Sequence, residues 1–516
     1  MKTKLSKFLL LIIWFITACD DDVAPKFVLP ADTDLSDAFY VHINLNDRSD
    51  DTFKVEMYVD GLSKDNEILQ FAATVPGTYD ISNVGRFIKN LQAFDESGNE
   101  INVTAVAVNQ WKIADPSSTF KIIYEVAETF DTEVLEFPIY AMAGTSIEND
   151  HVLLNTPMVI GYPTGLKERD YFVSLAYPDS WSLGTALPEY EEDVFWASDF
   201  DHLADSPILL GNLSSTYVEV GGADISIHVY SAGEFITGSH VLADVNQILL
   251  DAEAFLKVLP TDQYAFLYHF GDRHEGALEH SKSSVYVLRD REYTQNFGNG
   301  IKSISAHEFF HIVTPLNIHS EIIADFNFAV PTPSQHLWLY EGVTEWASDF
   351  MQYRNGSMDL TSLLNELGTK VQIDSRFDSN FSLQQIGSEV YTIDGGGQFG
   401  NIYNRGAFVI SLLDIRLLEL SNGTKGMREV VLELIEDFGP DQAFSEVEFF
   451  DTIVEMTYPE VKTFIDDYIK GTEILPIESY YSKLGIEYNE LDFSFRKISD
   501  PTAEQVTLFE IWSKNL

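Results

Sequence analysis

Residues 305 to 311 read Ser-Ala-His-Glu-Phe-Phe-His, and no other stretch limits the fold of this chain so tightly. Two histidines four residues apart can act together only if the backbone between them is helical, because one helical turn puts both imidazoles on the same face. Residues Ile301 to Val313 read as that helix. In such a helix His307 and His311 can grip one zinc ion, and Glu308 between them can take a proton from a water held there.

Zinc in a hydrolase usually takes three protein ligands and leaves a fourth position open. The candidate for the third is Glu341, in Leu337-Trp338-Leu339-Tyr340-Glu341-Gly342-Val343-Thr344-Glu345-Trp346, with 29 residues between it and His311. Residues Ser334 to about Tyr353 read as a second helix with Ser334 as its N-cap. On that helix Glu345 lies one turn beyond Glu341, where it can accept the free N–H of a ligand histidine and fix the ring. An acidic pair at this spacing usually marks a solvated face, but Trp338, Leu339 and Trp346 make this helix apolar. One zinc per chain is expected.

A chain of 516 residues is too long for one core, so two or three domains are expected. From Ala38 to about Ile160 apolar residues alternate with polar ones, as in Phe53, Val55, Met57 and Val59, and turn signals such as Pro76-Gly77 separate the runs. That pattern predicts a β-sandwich over 38–165. Between Thr164 and Asp290 strands mix with helix: Val241 to Leu259 is helical, ending at Pro260, and Tyr264 to Tyr268 and Ser283 to Leu288 are strands. Later helices are expected at about Arg405 to Leu420, Met427 to Phe438 and Glu460 to Lys470. The fold class is therefore α+β: the sandwich, an α/β catalytic unit over 166–355 with the metal site, and a helical part over 356–490. Residues 491–516 are expected to be a tail, since the 31 residues after Gly485 are too few for a further domain. Asp394-Gly395-Gly396-Gly397 reads as a flexible turn, lacking the Lys-Ser/Thr of a phosphate loop. His280, His319 and His336 read as structural or substrate-side, because the coordination sphere is already full.

At the N-terminus Lys2, Lys4 and Lys7 precede the apolar run Phe8 to Ile16, nine residues and too short to span a bilayer as a helix. Residues 1–18 read as a signal peptide. Ile16-Thr17-Ala18-Cys19 resembles a bacterial lipobox, which implies cleavage before Cys19 and a lipid on this only cysteine. Residues 19–37 would be an acidic tether. Its Asp20-Asp21-Asp22 resembles an inner-membrane retention signal of some bacteria and a surface-export signal of others; the expected location is the bacterial cell envelope, at the outer membrane or cell surface. Membrane contact is expected through the lipid alone. The 81 acidic against 32 basic residues, a net charge of -49, argue against nucleic acid as a partner.

Taken in order, the motifs resemble the glycyl aminopeptidase family of gluzincin zinc metallopeptidases over roughly residues 38 to 486. They are Phe195 to Asp201 leading into Asp205-Ser206-Pro207, Gly276-Ala277-Leu278-Glu279-His280, His307 to His311, Leu337-Trp338 through Thr344, Tyr403-Asn404-Arg405-Gly406 with Leu413-Asp414-Ile415-Arg416, and Gly471-Thr472-Glu473 with Leu475-Pro476. The resemblance implies a thermolysin-like catalytic domain, a mixed sheet plus helices, behind an N-terminal β-domain and without the PDZ domain that many members carry. It also implies His307, His311 and Glu341 as zinc ligands and Glu308 as the base. Tyr403 resembles the Tyr of the Tyr-Glu-Lys-Gly stretch in the aminopeptidase N family, implying an oxyanion donor. Gly276 to His280 resembles that family's Gly-x-Met-Glu-Asn strand, implying that Glu279 meets the substrate's α-amino group, with Ala277 beside it in place of the usual second Gly. Ile312 to Asn317 differs from the family's usual Thr-Trp-Asn stretch. The implied activity is zinc-dependent removal of residues from the N-termini of short peptides. An endopeptidase on the same site, or a surface lipoprotein that binds peptides without cleaving them, are the alternatives, and the oligomeric state is left open.

Overall fold

Alternation of Phe53, Val55 and Met57, all buried, with Lys54 and Glu56, which are not, makes Thr52–Tyr58 a strand with one face on a core. In the computed structural model, which describes residues 27–514 except 32, 274 and 275, this strand is central to an eight-stranded sheet. The described residues from Leu35 onward form one compact unit. Cys19, the expected signal peptide and residues 19–26 of the expected acidic tether lie outside the described residues.

The expected end of the β-domain at 165 falls inside its largest sheet. Ala38–Asn44 pairs in parallel with Asp170–Ala176, from Ala38 opposite Asp170 to Asn44 opposite Ala176, and Val194–Ala197 pairs with Asp170–Ala176 in turn. Two four-stranded sheets pack with the large one around a common core that includes Phe39, Phe71, Val126, Leu154, Tyr171 and Leu210. The β-domain is thus a multi-sheet assembly reaching to about Gly211.

The next sheet has five strands in the order Ser214–Val220, Ala223–Ser231, Gln263–Gly271, Ser283–Arg289 and Gly276–His280. Its three central strands are parallel and the two outer pairings antiparallel. The helix Gly238–Leu256 makes the crossover between the first two parallel strands, opened by Thr237, whose side chain accepts from the His240 N–H. Gly276–His280 is left at the edge, beside the motif helix Gln295–Phe310.

One continuous core runs from this sheet through the C-terminal helices to Trp512. The expected tail is therefore structured: Ser494–Lys497 pairs with Ile486–Asn489, and the helix Ala503–Ser513 buries Trp512 completely. Trp512 is the one fully buried residue of that helix, and Leu508, Phe509 and Ile511 pack on the core beside it.

Candidate active site

The motif helix Gln295–Phe310 starts at Thr294, whose hydroxyl accepts from the Phe297 N–H, and is tied to the sheet by a 2.6 Å hydrogen bond between Tyr268 and Ser305. It ends at Phe310, earlier than expected, with His311 as its C-cap. Pro315 supplies the reason, since a proline ring clashes with the carbonyl four residues before it. The cap geometry lets His311 Nδ1 donate to Thr314 O at 2.8 Å. His307 Nδ1 donates to Glu345 Oε2 at 2.8 Å. With each Nδ1 engaged in this way, both rings turn Nε2 toward Glu341, and the two Nε2 atoms lie 3.1 Å apart.

Glu341 Oε2 lies 3.3 Å from His307 Nε2 and 3.5 Å from His311 Nε2. It sits on a π-helical turn, Trp338–Val343, that runs into the α-helix Thr344–Asn355 carrying Glu345. Ser334 does not cap this helix at its start as expected; its hydroxyl donates to Glu446 and accepts from the His336 N–H in the segment before the turn. The wide π-turn presses Gly342 against Gly406 of the helix Asn401–Leu420, where a Cβ at 342 would stand 3.0 Å from the Gly406 Cα. That approach brings Tyr403, one turn before Gly406, to within 5.5 Å of the His307 ring, centroid to centroid.

His307, His311 and Glu341 are buried, and their donor atoms converge closely enough to share one metal ion. Two imidazoles and a carboxylate, open on one side to a cavity of about 710 Å³, suit a zinc centre with a free position. The charge balance points the same way. Burial first, then the carboxylates of Glu341 and Glu308, push Glu279 well above its usual range. Burial also pushes Glu308 up to about 7, with Glu341 and Glu345 adding to it against His307. Against burial, which pulls it down, hydrogen bonds to Glu341 and Glu345 hold His307 well above the usual imidazole value. A cation held by these carboxylates would offset that cost.

The cavity holds the other expected residues too: Glu279 and Ala277 from the edge strand, Glu308 and Tyr403. His280, His319 and His336 are held elsewhere, by Asp205, by the Pro315 carbonyl and by the Glu446 carbonyl. Asp394 to Gly397 is part of a short helix, Ile393–Gln398, capped by Thr392, and not a flexible turn; it leads into Phe399 and Gly400 of the cavity wall.

Two residues escaped the sequence reading. Lys370 is buried between Glu345 and Asp349, and its ammonium, against the cost of burial, holds Glu345 well below the usual carboxylate range. Its signal was present, because Leu363, Leu367 and Lys370 share one stripe of the helix Leu360–Asp374. Tyr79, from the β-domain, donates to Glu341 Oε1 at 3.0 Å, and no local pattern announces it.

Comparison with known proteins agrees with the geometry. The model of the Peptidase M61 N-terminal domain matches residues 40–212, and that of M61 glycyl aminopeptidase matches residues 301–391. No match is found among curated proteins. Among solved structures, an aminopeptidase N family protein from Idiomarina loihiensis superposes with a TM-score of 0.77 at 20% identity, over 87% of this chain and 78% of that one. A mutant M1 zinc metallopeptidase from Deinococcus radiodurans, bound to a Tyr-Ser-Ala substrate, superposes with a TM-score of 0.53 at 12% identity, over 85% and 94%. Two models of one family, its N-terminal and its peptidase domain, thus fall in order on the β-domain and on the helices that hold His307, His311 and Glu341, and the chain belongs to the M61 glycyl aminopeptidase family of metallopeptidases.

Proposed function

We propose that this peptidase is an aminopeptidase holding one zinc per chain on His307, His311 and Glu341. The observation that carries the exopeptidase reading is the setting of Glu279. Its carboxylate lies in the metal cavity, close enough to Glu308 and His311 for the three to share an ion. Behind it stands the backbone of Gly77, where a Cβ would come within 2.7 Å of Glu279 Oε1. A substrate's α-ammonium fits this place, since it would neutralise a carboxylate that burial and its acidic neighbours otherwise disfavour.

Zinc bound there supplies a Lewis acid for the scissile carbonyl. Glu308 takes the proton of the attacking water and passes it to the leaving amine. Tyr403 donates its phenol to the oxyanion. Glu345, held by Lys370, fixes the His307 ring. Ala277 lines the substrate's path beside Glu279.

Products from a mixed peptide pool test the reading. Free peptides should lose N-terminal residues one at a time, N-acetylated peptides should be poor substrates, and Glu279→Ala should lower kcat/KM by at least about thirtyfold, the effect of truncating one partner of a buried charge pair. Cleavage mainly at internal bonds, indifferent to acetylation, would leave the endopeptidase reading in its place.

The lysines and apolar run before Cys19 support a lipid-anchored protein of the cell envelope, at the outer membrane or cell surface. Cys19→Ser should move the protein from the membrane fraction to the soluble fraction; a variant that stays with the membrane would refute the anchor.

A further inference from the structure

The β-domain reaches into the metal centre through one loop. Residues 76–79 leave the domain on two left-handed residues, Gly77 with φ +75° and Tyr79 with φ +48°. Tyrosine seldom adopts that conformation, and such backbone persists only where the surroundings hold it. Here they do. Thr74 donates to the Asp80 carbonyl at 2.8 Å across the base of the loop, Ser82 and Asn83 N–H both donate to the Ala73 carbonyl, and the Ala73 N–H donates to Phe328 O at 2.7 Å. Gly77 lies flat on Leu278 and Glu279, with no room for a side chain. The Tyr79 ring then rests on Phe399, centroids 5.2 Å apart, and Phe399 rests in turn on Tyr403 at 5.5 Å.

This arrangement divides the two oxygens of Glu341. Oε2 faces His307 and His311, at 3.3 and 3.5 Å, while Oε1 accepts the Tyr79 hydroxyl at 3.0 Å. Glu341 is 2% exposed, and the Tyr79 hydroxyl is the hydrogen bond that its Oε1 accepts. We infer that Tyr79 is a positioning residue of the metal centre: by occupying Oε1 it holds the Glu341 carboxylate with Oε2 turned toward His307 and His311. The noncatalytic domain thereby completes the site. The inference rests on the reading of Glu341 as a zinc ligand.

Tyr79→Phe keeps the ring on Phe399 and removes only the hydroxyl. Zinc affinity, measured by competition with a chromophoric chelator, should fall about tenfold to a hundredfold, the usual effect of losing a partner of a metal ligand. The melting temperature of the metal-free protein should stay within a degree or two of wild type, which separates positioning from a packing role. In a Glu341→Ala background the same substitution should cause no further loss of zinc affinity, because the residue it acts through is gone. Unchanged affinity in the single variant, or an equal loss in both backgrounds, would overturn the inference. Failure of the wild-type protein to bind zinc would instead overturn the underlying metal assignment.

Discussion

Glu308→Gln should leave zinc bound and lower turnover by roughly a hundredfold to ten-thousandfold, the range that one positioned general base contributes. The amide keeps the shape of the side chain but cannot hold a proton in transit. The geometry makes this substitution discriminating, because Glu308 belongs to a second possible metal group with Glu279 and His311. If that group held the ion, the variant would lose metal along with activity. If His307, His311 and Glu341 hold it, metal analysis should return the wild-type zinc content on an inactive protein. Turnover near the wild-type rate would remove Glu308 from the mechanism and pass the role of base to another group.

Asp414→Ala should destabilise the fold by about 3 to 5 kcal/mol, the effect of leaving a buried charge without its partner. Arg354 Nη2 donates to Asp414 Oδ2 at 2.6 Å, and both side chains are 0% exposed. The remaining Asp414 oxygen accepts the Met427 N–H at 2.8 Å, and Arg354 Nε donates to Trp512 O at 3.1 Å. This pair joins the helix that carries Glu345 to the helix that carries Tyr403 and to the C-terminal helix. Urea unfolding of the metal-free protein would measure the loss, and a cost below about 1 kcal/mol would show that the core adapts to the unpaired guanidinium. Replacing both residues with apolar ones, Asp414→Leu with Arg354→Met, should recover most of the loss, since a buried ion pair is often no more stabilising than a packed apolar pair.

The clustering of the candidate metal residues was legible because their relation is local. His307, Glu308 and His311 fall within two helical turns, and Glu341 and Glu345 within one apolar segment, so spacing alone places each set on a face. Gly342 and Gly406 could be quoted from the resemblance, but their mutual contact, which brings Tyr403 to the site, appears only when the helices pack. Strand periodicity identified the β-domain but could not say which strands share a sheet, so the parallel pairing of 38–44 with 170–176, across more than a hundred residues, moved its boundary. Lys370 showed a trace, a cation on an apolar stripe. Tyr79 showed none, because 262 positions separate it from Glu341 and neither segment constrains the other until the domains meet.

That meeting bears on how such proteins can be recombined. The Gly77 backbone against Glu279 and the Tyr79 hydroxyl on Glu341 form a seam drawn through the active site, with one side contributed by each domain. A chimera joined near residue 212, with its β-domain from one relative and its peptidase domain from another, would inherit the two sides of that seam from separate lineages. Both halves could fold and the hybrid still fail, unless the donor of the β-domain carried a small residue and a hydroxyl donor at the same two places. A domain exchange would therefore have to match this one loop to the peptidase domain it meets.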